Sequence, residues 1–204
     1  MRLINSLQGK AHNYICDPGL DSVAKSNLFL MNNTFYLIEQ LEYNPDSPSH
    51  NRGQEDQDGE LYRIDSPWFK EKVGKIFDVE KNKYVAHWEV LNRHLTAVDP
   101  SELSYKGGSN ELLSLESGRL LKTRFSGFIE DFEKTYMVHK ELNVTDPKLR
   151  VMLQQDVINV FFPRYKRFFE KWSIIHFSKK NQDQYLKYPP PKIEDMMREL
   201  FTTS

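Results

Sequence analysis

Steps of three and four between apolar residues recur along the whole chain, and no stretch alternates apolar and polar positions as a half-buried strand does. Leu28, Met31, Phe35, Ile38 and Leu41 keep this spacing and predict one helix, which Pro45 and Pro48 end. The stretch NPDSPSHNRGQEDQDGE, Asn44 to Glu60, holds turn formers and acids but no apolar residue, and so predicts a mobile polar loop. Ser66 and Pro67 carry the N-cap and first-position signals of a second helix. Its core face, Phe69, Val73, Ile76, Phe77, Tyr84, Trp88, Leu91 and Leu95, continues until Pro100. That is about 30 residues, or roughly 45 Å of helix.

After a KGGSN break at Lys106–Asn110, Leu121, Phe125, Phe128, Phe132 and Tyr136 predict a third long helix. Asp146 and Pro147 open a fourth, whose broad stripe is Ile158, Phe161, Phe162, Tyr165, Phe168, Phe169, Trp172 and Ile175. Pro163 falls inside it, removes one backbone donor and predicts a kink. A last short segment, Lys192–Phe201, has Ile193, Met196, Met197, Leu200 and Phe201 on one face and should dock back onto the bundle. Long helices joined by short turns do not close into a sphere. The pattern therefore predicts an all-α protein of elongated antiparallel helical bundles stacked as a rod. Residues 1–110 would form a bundle segment with the acidic loop at 44–60, and 111–204 a C-terminal bundle with a basic loop and terminal helix.

The length of 204 residues suffices for one sizeable core or two small ones in series. Met1–Ile15 is broken by polar residues throughout, so it offers no signal-peptide pattern, and no apolar run approaches the ~18 residues of a membrane span. A single cysteine, Cys16, excludes an internal disulfide and fits a reducing, cytoplasmic setting. The net charge of −1 argues against a nucleic-acid binder. It also conceals a polarity. Met1–Gly118 holds 12 Lys and Arg against 18 Asp and Glu, a local charge of −6, whereas Arg119–Ser204 holds 16 against 11, or +5. Either the basic half meets an acidic partner or these charges are ordinary solvated helix faces.

Catalytic patterns are thin. His87 and His94 lie seven apart, hence on one helix face, with Glu89 nearby; a metal-binding pair on a helix is more naturally spaced by four. Half-exposed bundle histidines are the plainer reading. Cys16 precedes a turn and has no histidine near it in sequence beyond His12, so it makes a poor nucleophile. KGGSN is too short for a phosphate loop. Neither an enzyme nor a metal or other cofactor is expected, which leaves binding or scaffolding.

The basic positions give that reading content. Arg164, Arg167 and Lys171 fall on one flank of the fourth helix. Lys179, Lys180 and Lys187 gather within nine residues beside Tyr185, Leu186 and Tyr188, whose side chains can anchor a turn. Pro189, Pro190 and Pro191 then stiffen the chain. A turn fastened in this way holds ammonium groups toward an anionic surface at little further entropic cost. Each cation near an acidic leaflet contributes on the order of 1 kcal/mol, so four or five supply about 4–5 kcal/mol, and a second anchor is needed to hold the chain there.

Three segments resemble, in order, the C-terminal part of the seventy-kilodalton exocyst subunit family: RFSGFIEDFEKTYMVHKELNVTDPKLR (Arg124–Arg150), VFFPRYKRFFEKW (Val160–Trp172) and QYLKYPPPKIEDMMRELF (Gln184–Phe201). Upstream, LFLMNNTFYLIEQL (Leu28–Leu41) resembles the helix that the family places before its variable loop. The resemblance implies stacked antiparallel bundles and a cytoplasmic role, peripheral at plasma-membrane sites of polarised secretion, in tethering vesicles. It also implies other exocyst subunits, a Rho-type small GTPase and phosphatidylinositol 4,5-bisphosphate as partners. Lys187 fits the lysine of the family's final motif, and Lys180 a basic position just before it. Asp183 and Gln184 stand where relatives often carry Lys or Arg, a thinning that Lys179, Arg164, Arg167 and Lys171 would offset. Family members are far longer, so the chain reads as an excised piece or short form lacking the N-terminal helical region. The alternative is a lipid-independent helical adaptor, with the acidic loop as a candidate contact.

Overall fold

The computed structural model describes residues 2–16, 22–43, 67–98, 103–105 and 113–202. Their α-helices are α1 (Arg2–Ile15), α2 (Ser22–Tyr43), α3 (Pro67–Ala86), α4 (Leu115–His139), α5 (Pro147–Trp172), α6 (Gln182–Tyr185) and α7 (Pro190–Arg198), with a 3₁₀-helix at Glu89–His94. Among the described residues the one isolated β contact joins Tyr105 to Leu113, and the chain is all-α as its periodicity requires. The acidic stretch 44–60 and the break at 106–110 lie outside the described residues.

The chain divides into two compact units: Met1–Tyr84 with Val144–Leu149, and Val85–Asn143 with Arg150–Ser204. The sequence pattern sets a boundary between 110 and 111; the compact units part between Tyr84 and Val85. In the first unit, Ile4 of α1 and Phe69 and Val73 of α3 share a core with Leu37, Ile38 and Ile76. The apolar pattern does not single out α1. Its inward signal is only Ile4 and Ala11, buried, and the half-buried Leu7, too sparse to stand out in fourteen residues. Among the described residues of this unit the buried charge is Glu80. Asn27 Nδ2 donates to it at 2.6 Å and Lys83 Nζ at 2.7 Å, which supplies the partners that a buried carboxylate requires.

The second unit is built on facing aromatics. Leu121, Phe125, Phe128 and Phe132 form the inner stripe of α4, and Phe161, Tyr165, Phe168 and Trp172 that of α5. Phe128 stacks on Tyr165 at 4.1 Å and Phe125 meets Phe168 at 4.9 Å, arrangements worth about 0.5–1.5 kcal/mol each beyond burial. Asp146 caps α5, its Oδ1 accepting from Lys148 N at 2.8 Å and Leu149 N at 3.0 Å. The helix runs through Pro163, whose ring is exposed.

The structure corrects the single helix expected to reach Pro100. It stops at Ala86, and the backbone tightens into the 3₁₀-helix. Tertiary packing overrides the regular period there. In a 3₁₀ turn side chains three apart eclipse, so Trp88 and Leu91 are both fully buried, Trp88 stacking on Phe161 at 6.0 Å. Asn92 Nδ2 pins the turn by donating to Val160 O at 3.1 Å. His87 and His94 therefore do not share a regular helix face. His87 lies 5.8 Å from the His139 ring, while His94 Nε2 sits 2.6 Å from Asp131, which also accepts from Arg93 at 2.6 Å. Burial lowers the pKa of His87 below the usual histidine value. Among the described residues no cluster of His, Cys, Asp and Glu could hold a metal.

Candidate cationic groove

The basic end of the second unit is ordered by backbone geometry. After α5 the chain doubles back through bonds from Ile175 N to Trp172 O (3.3 Å) and from Phe177 N to Ile175 O (3.0 Å). Gln182 stitches the loop from the far side: its Nε2 donates to Ile175 O at 3.1 Å and its Oε1 accepts from Ser178 N at 3.2 Å. Ser178 Oγ donates to Lys180 O at 2.7 Å, and Asn181 takes a left-handed conformation, φ 55°, to enter α6. Phe177 drives this loop into the core, stacking on Phe125 at 5.2 Å with the planes only 7° apart. The approach is so close that a methyl group at Gly118 of α4 would lie 2.9 Å from the Phe177 carbonyl oxygen; glycine is required there by space.

The consequence is a shallow groove of about 480 Å³ between the loop and the start of α4. His176, Lys179 and Lys180 line it from the loop, and Leu115, Arg119 and Lys122 from α4. Both loop lysines are exposed, and no carboxylate among the described residues pairs with any of the four cations. Lys122 Nζ stands 5.9 Å from the Tyr185 ring centre, so the aromatic floor helps to hold it.

Lys187 belongs to an adjoining groove of about 920 Å³, which shares Lys122 and Tyr185 with the first. Its environment differs. Lys187 Nζ donates to Glu133 Oε1 at 2.5 Å and Tyr188 Oη donates to the same oxygen at 2.7 Å. The lysine and then the tyrosine hold the Glu133 carboxyl below its ordinary pKa, and Glu133 in turn raises that of Lys187. Tyr188 is itself clamped: the Tyr165 hydroxyl donates to its carbonyl oxygen, and its ring meets Phe132 edge-on at 5.4 Å. Burial pushes the Tyr165 hydroxyl well above its ordinary pKa, so it stays a donor.

The closing helix α7 packs into the same unit. Pro189 is its cap and Pro190 its first residue, and Ile193, Met197, Leu200 and Phe201 are fully buried. Gln154 Nε2 of α5 donates to Arg198 O at 2.8 Å and Leu200 O at 2.7 Å, satisfying carbonyls that the helix end leaves open. The docking expected of this segment is observed.

Of the six basic positions singled out, Lys179 and Lys180 share one groove and Lys187 lies in the next; Arg164, Arg167 and Lys171 are exposed along α5 and line neither. Arg119 and Lys122 escape a reading of the sequence alone. Three residues apart on α4, they already share a helix face, and only the return of the loop about 60 residues later gives that face a meaning.

Comparison with known proteins gives concordant findings. A model of the C-terminal region of the Exo70 exocyst complex subunit matches residues 1–199. Exocyst complex component 7 of Drosophila melanogaster is 26% identical over 189 residues, which span 93% of this chain and 25% of that protein. Exocyst complex component EXO70A1 of Arabidopsis thaliana is 29% identical over 208 residues, 98% of this chain and 28% of its own length. The chain thus spans about a quarter of the curated relatives it matches. A solved structure described as exocyst subunit Exo70p and the Exo84p C-terminal domains superposes with a TM-score of 0.59 at 21% identity, over 87% of this chain and 29% of that one. At that identity the likeness establishes the helical fold.

Proposed function

The chain belongs to the family formed by the C-terminal region of the Exo70 exocyst component, and from that premise we propose that it is the membrane-facing part of a vesicle-tethering protein of exocytosis. Its basic groove receives the headgroup of phosphatidylinositol 4,5-bisphosphate at the cytoplasmic face of the plasma membrane. Other exocyst subunits and a Rho-type GTPase are its protein partners, contacting surfaces apart from this groove. One observation carries the lipid reading: Lys179, Lys180, Arg119 and Lys122 converge on a single open groove with no paired carboxylate among the described residues. Lys187 contributes less than its motif implies, because Glu133 already engages it. Among the described residues no helix is long and apolar enough to cross a membrane.

The physical basis is additive. Four cations at about 1 kcal/mol each give roughly 4 kcal/mol of attraction, screened by salt over a Debye length near 10 Å. Co-sedimentation with phosphatidylcholine vesicles, with and without the bisphosphorylated lipid, tests it. Wild type should pellet with the charged vesicles, and Lys179→Ala/Lys180→Ala should lose most of that binding. Equal pelleting of both proteins on both vesicles would remove the lipid role and leave the lipid-independent adaptor.

A further inference from the structure

Two large apolar side chains stand in water beside the cationic groove. Ile174 is 83% exposed, the most open of the large apolar residues described, and Leu115 is 64% exposed. Leu115, the first residue of α4, lines the groove itself. Ile174 is two residues from His176, which lines the same groove, and two residues of chain reach at most about 7 Å. The exposure of Ile174 does not come from a loose loop. Its neighbour Ile175 is half-buried and hydrogen-bonded at both N–H and C=O, and Phe177 is fully packed, so a stitched backbone holds Ile174 outward.

Single exposed apolar residues are common on protein surfaces and need no explanation alone. Here one such residue lines a groove with four cations that no carboxylate among the described residues pairs with, and the other stands two residues from a lining residue, so hydrocarbon and open charge share one region of the second unit. It matches the profile of an anionic bilayer, where phosphates stand above acyl chains and an apolar group sinks about 5–10 Å to the headgroup boundary. We infer that Ile174 and Leu115 form an apolar wedge that inserts between lipids while the groove holds a headgroup. This rests on the lipid reading above and supplies the second anchor that weak, salt-screened attraction requires.

The test compares wild type, Ile174→Ser and Lys179→Ala/Lys180→Ala on two probes: phosphatidylcholine vesicles carrying phosphatidylinositol 4,5-bisphosphate, and soluble inositol 1,4,5-trisphosphate. Ile174 faces solvent and is not among the groove-lining residues, and a thermal melt checks that the fold persists. The apolar variant should bind vesicles roughly tenfold more weakly yet bind the soluble headgroup as wild type does. The lysine variant should lose both. Unchanged vesicle binding by the apolar variant overturns the wedge and leaves the groove standing. Equal loss on both probes also overturns it, because Ile174 would then be shaping the headgroup site. If wild type binds neither probe, the lipid reading itself fails and takes the wedge with it. A second measurement stands apart from affinity: Ile174→Trp should be quenched by brominated lipid on vesicle addition, and absence of quenching refutes insertion.

Discussion

Replacing Ile193 by alanine tests whether the terminal helix is a clasp or an ornament. The side chain is fully buried in α7, between Pro190 and Arg198. The substitution removes three carbons, worth about 2.4 kcal/mol at ~0.8 kcal/mol each, and incomplete collapse of the resulting cavity carries the typical range to ~2–5 kcal/mol. Two observations place this site toward the middle of that range. Met197, Leu200 and Phe201 are buried on the same short segment, so its neighbours are tightly held. Gln154 fixes the backbone at Arg198 and Leu200, limiting how far α7 can sink into the void. Urea unfolding followed by circular dichroism, with amide exchange read at Ile193–Leu200, separates two modes of loss. If α7 belongs to the cooperative core, the midpoint falls with the slope m unchanged; if α7 detaches alone, exchange there accelerates by ~10²-fold while the global midpoint barely moves. A loss below about 1 kcal/mol with α7 amides still protected would refute the docking argument.

Two further outcomes follow from the site. Because its partners lower the Glu133 pKa, the stability it contributes is present above the ordinary carboxylate value of 4.5 and is lost as pH falls through the lower folded value. Glu133→Gln should therefore remove an acid-side dependence below pH 4.5, seen as converging wild-type and variant melting temperatures on acidification, and parallel curves would contradict the assignment. Gly118→Ala should gain ~0.5–1 kcal/mol of helix propensity but meet the Phe177 carbonyl oxygen 2.9 Å away, an overpacking worth ~1–3 kcal/mol. Backbone shifts over residues 176–180 should move and the melting temperature fall; unmoved shifts with a rise in stability would disprove the contact.

The elements of this fold that can be read from sequence are those whose cause is local. The inner stripes of α4 and α5 are visible because aromatic residues repeat at helical spacing, and the start of α5 because Asp146-Pro147 is a cap followed by a residue that needs no donor. The end of α3 is not visible. Nothing within residues 67–100 says that Trp88 will stack on Phe161, 73 positions away, and that contact is among those holding the 3₁₀ turn in place of another α turn.

The same distinction governs the cationic groove. A run such as Lys179-Lys180 is legible, but a groove is a relation between runs, and its other wall, Arg119 and Lys122, comes from a separate helix. Charge counting in sequence also assigns Lys187 the same weight as its neighbours, although Glu133, 54 positions earlier, holds its ammonium at 2.5 Å. Pairing of this kind changes the sign of the inference. The lysine embedded in the most specific motif is already engaged within the chain, whereas the less distinctive Lys179 and Lys180 are open. Motif strength therefore ranks how firmly a residue is placed, and only the surrounding carboxylates decide whether its charge is left to meet anything outside.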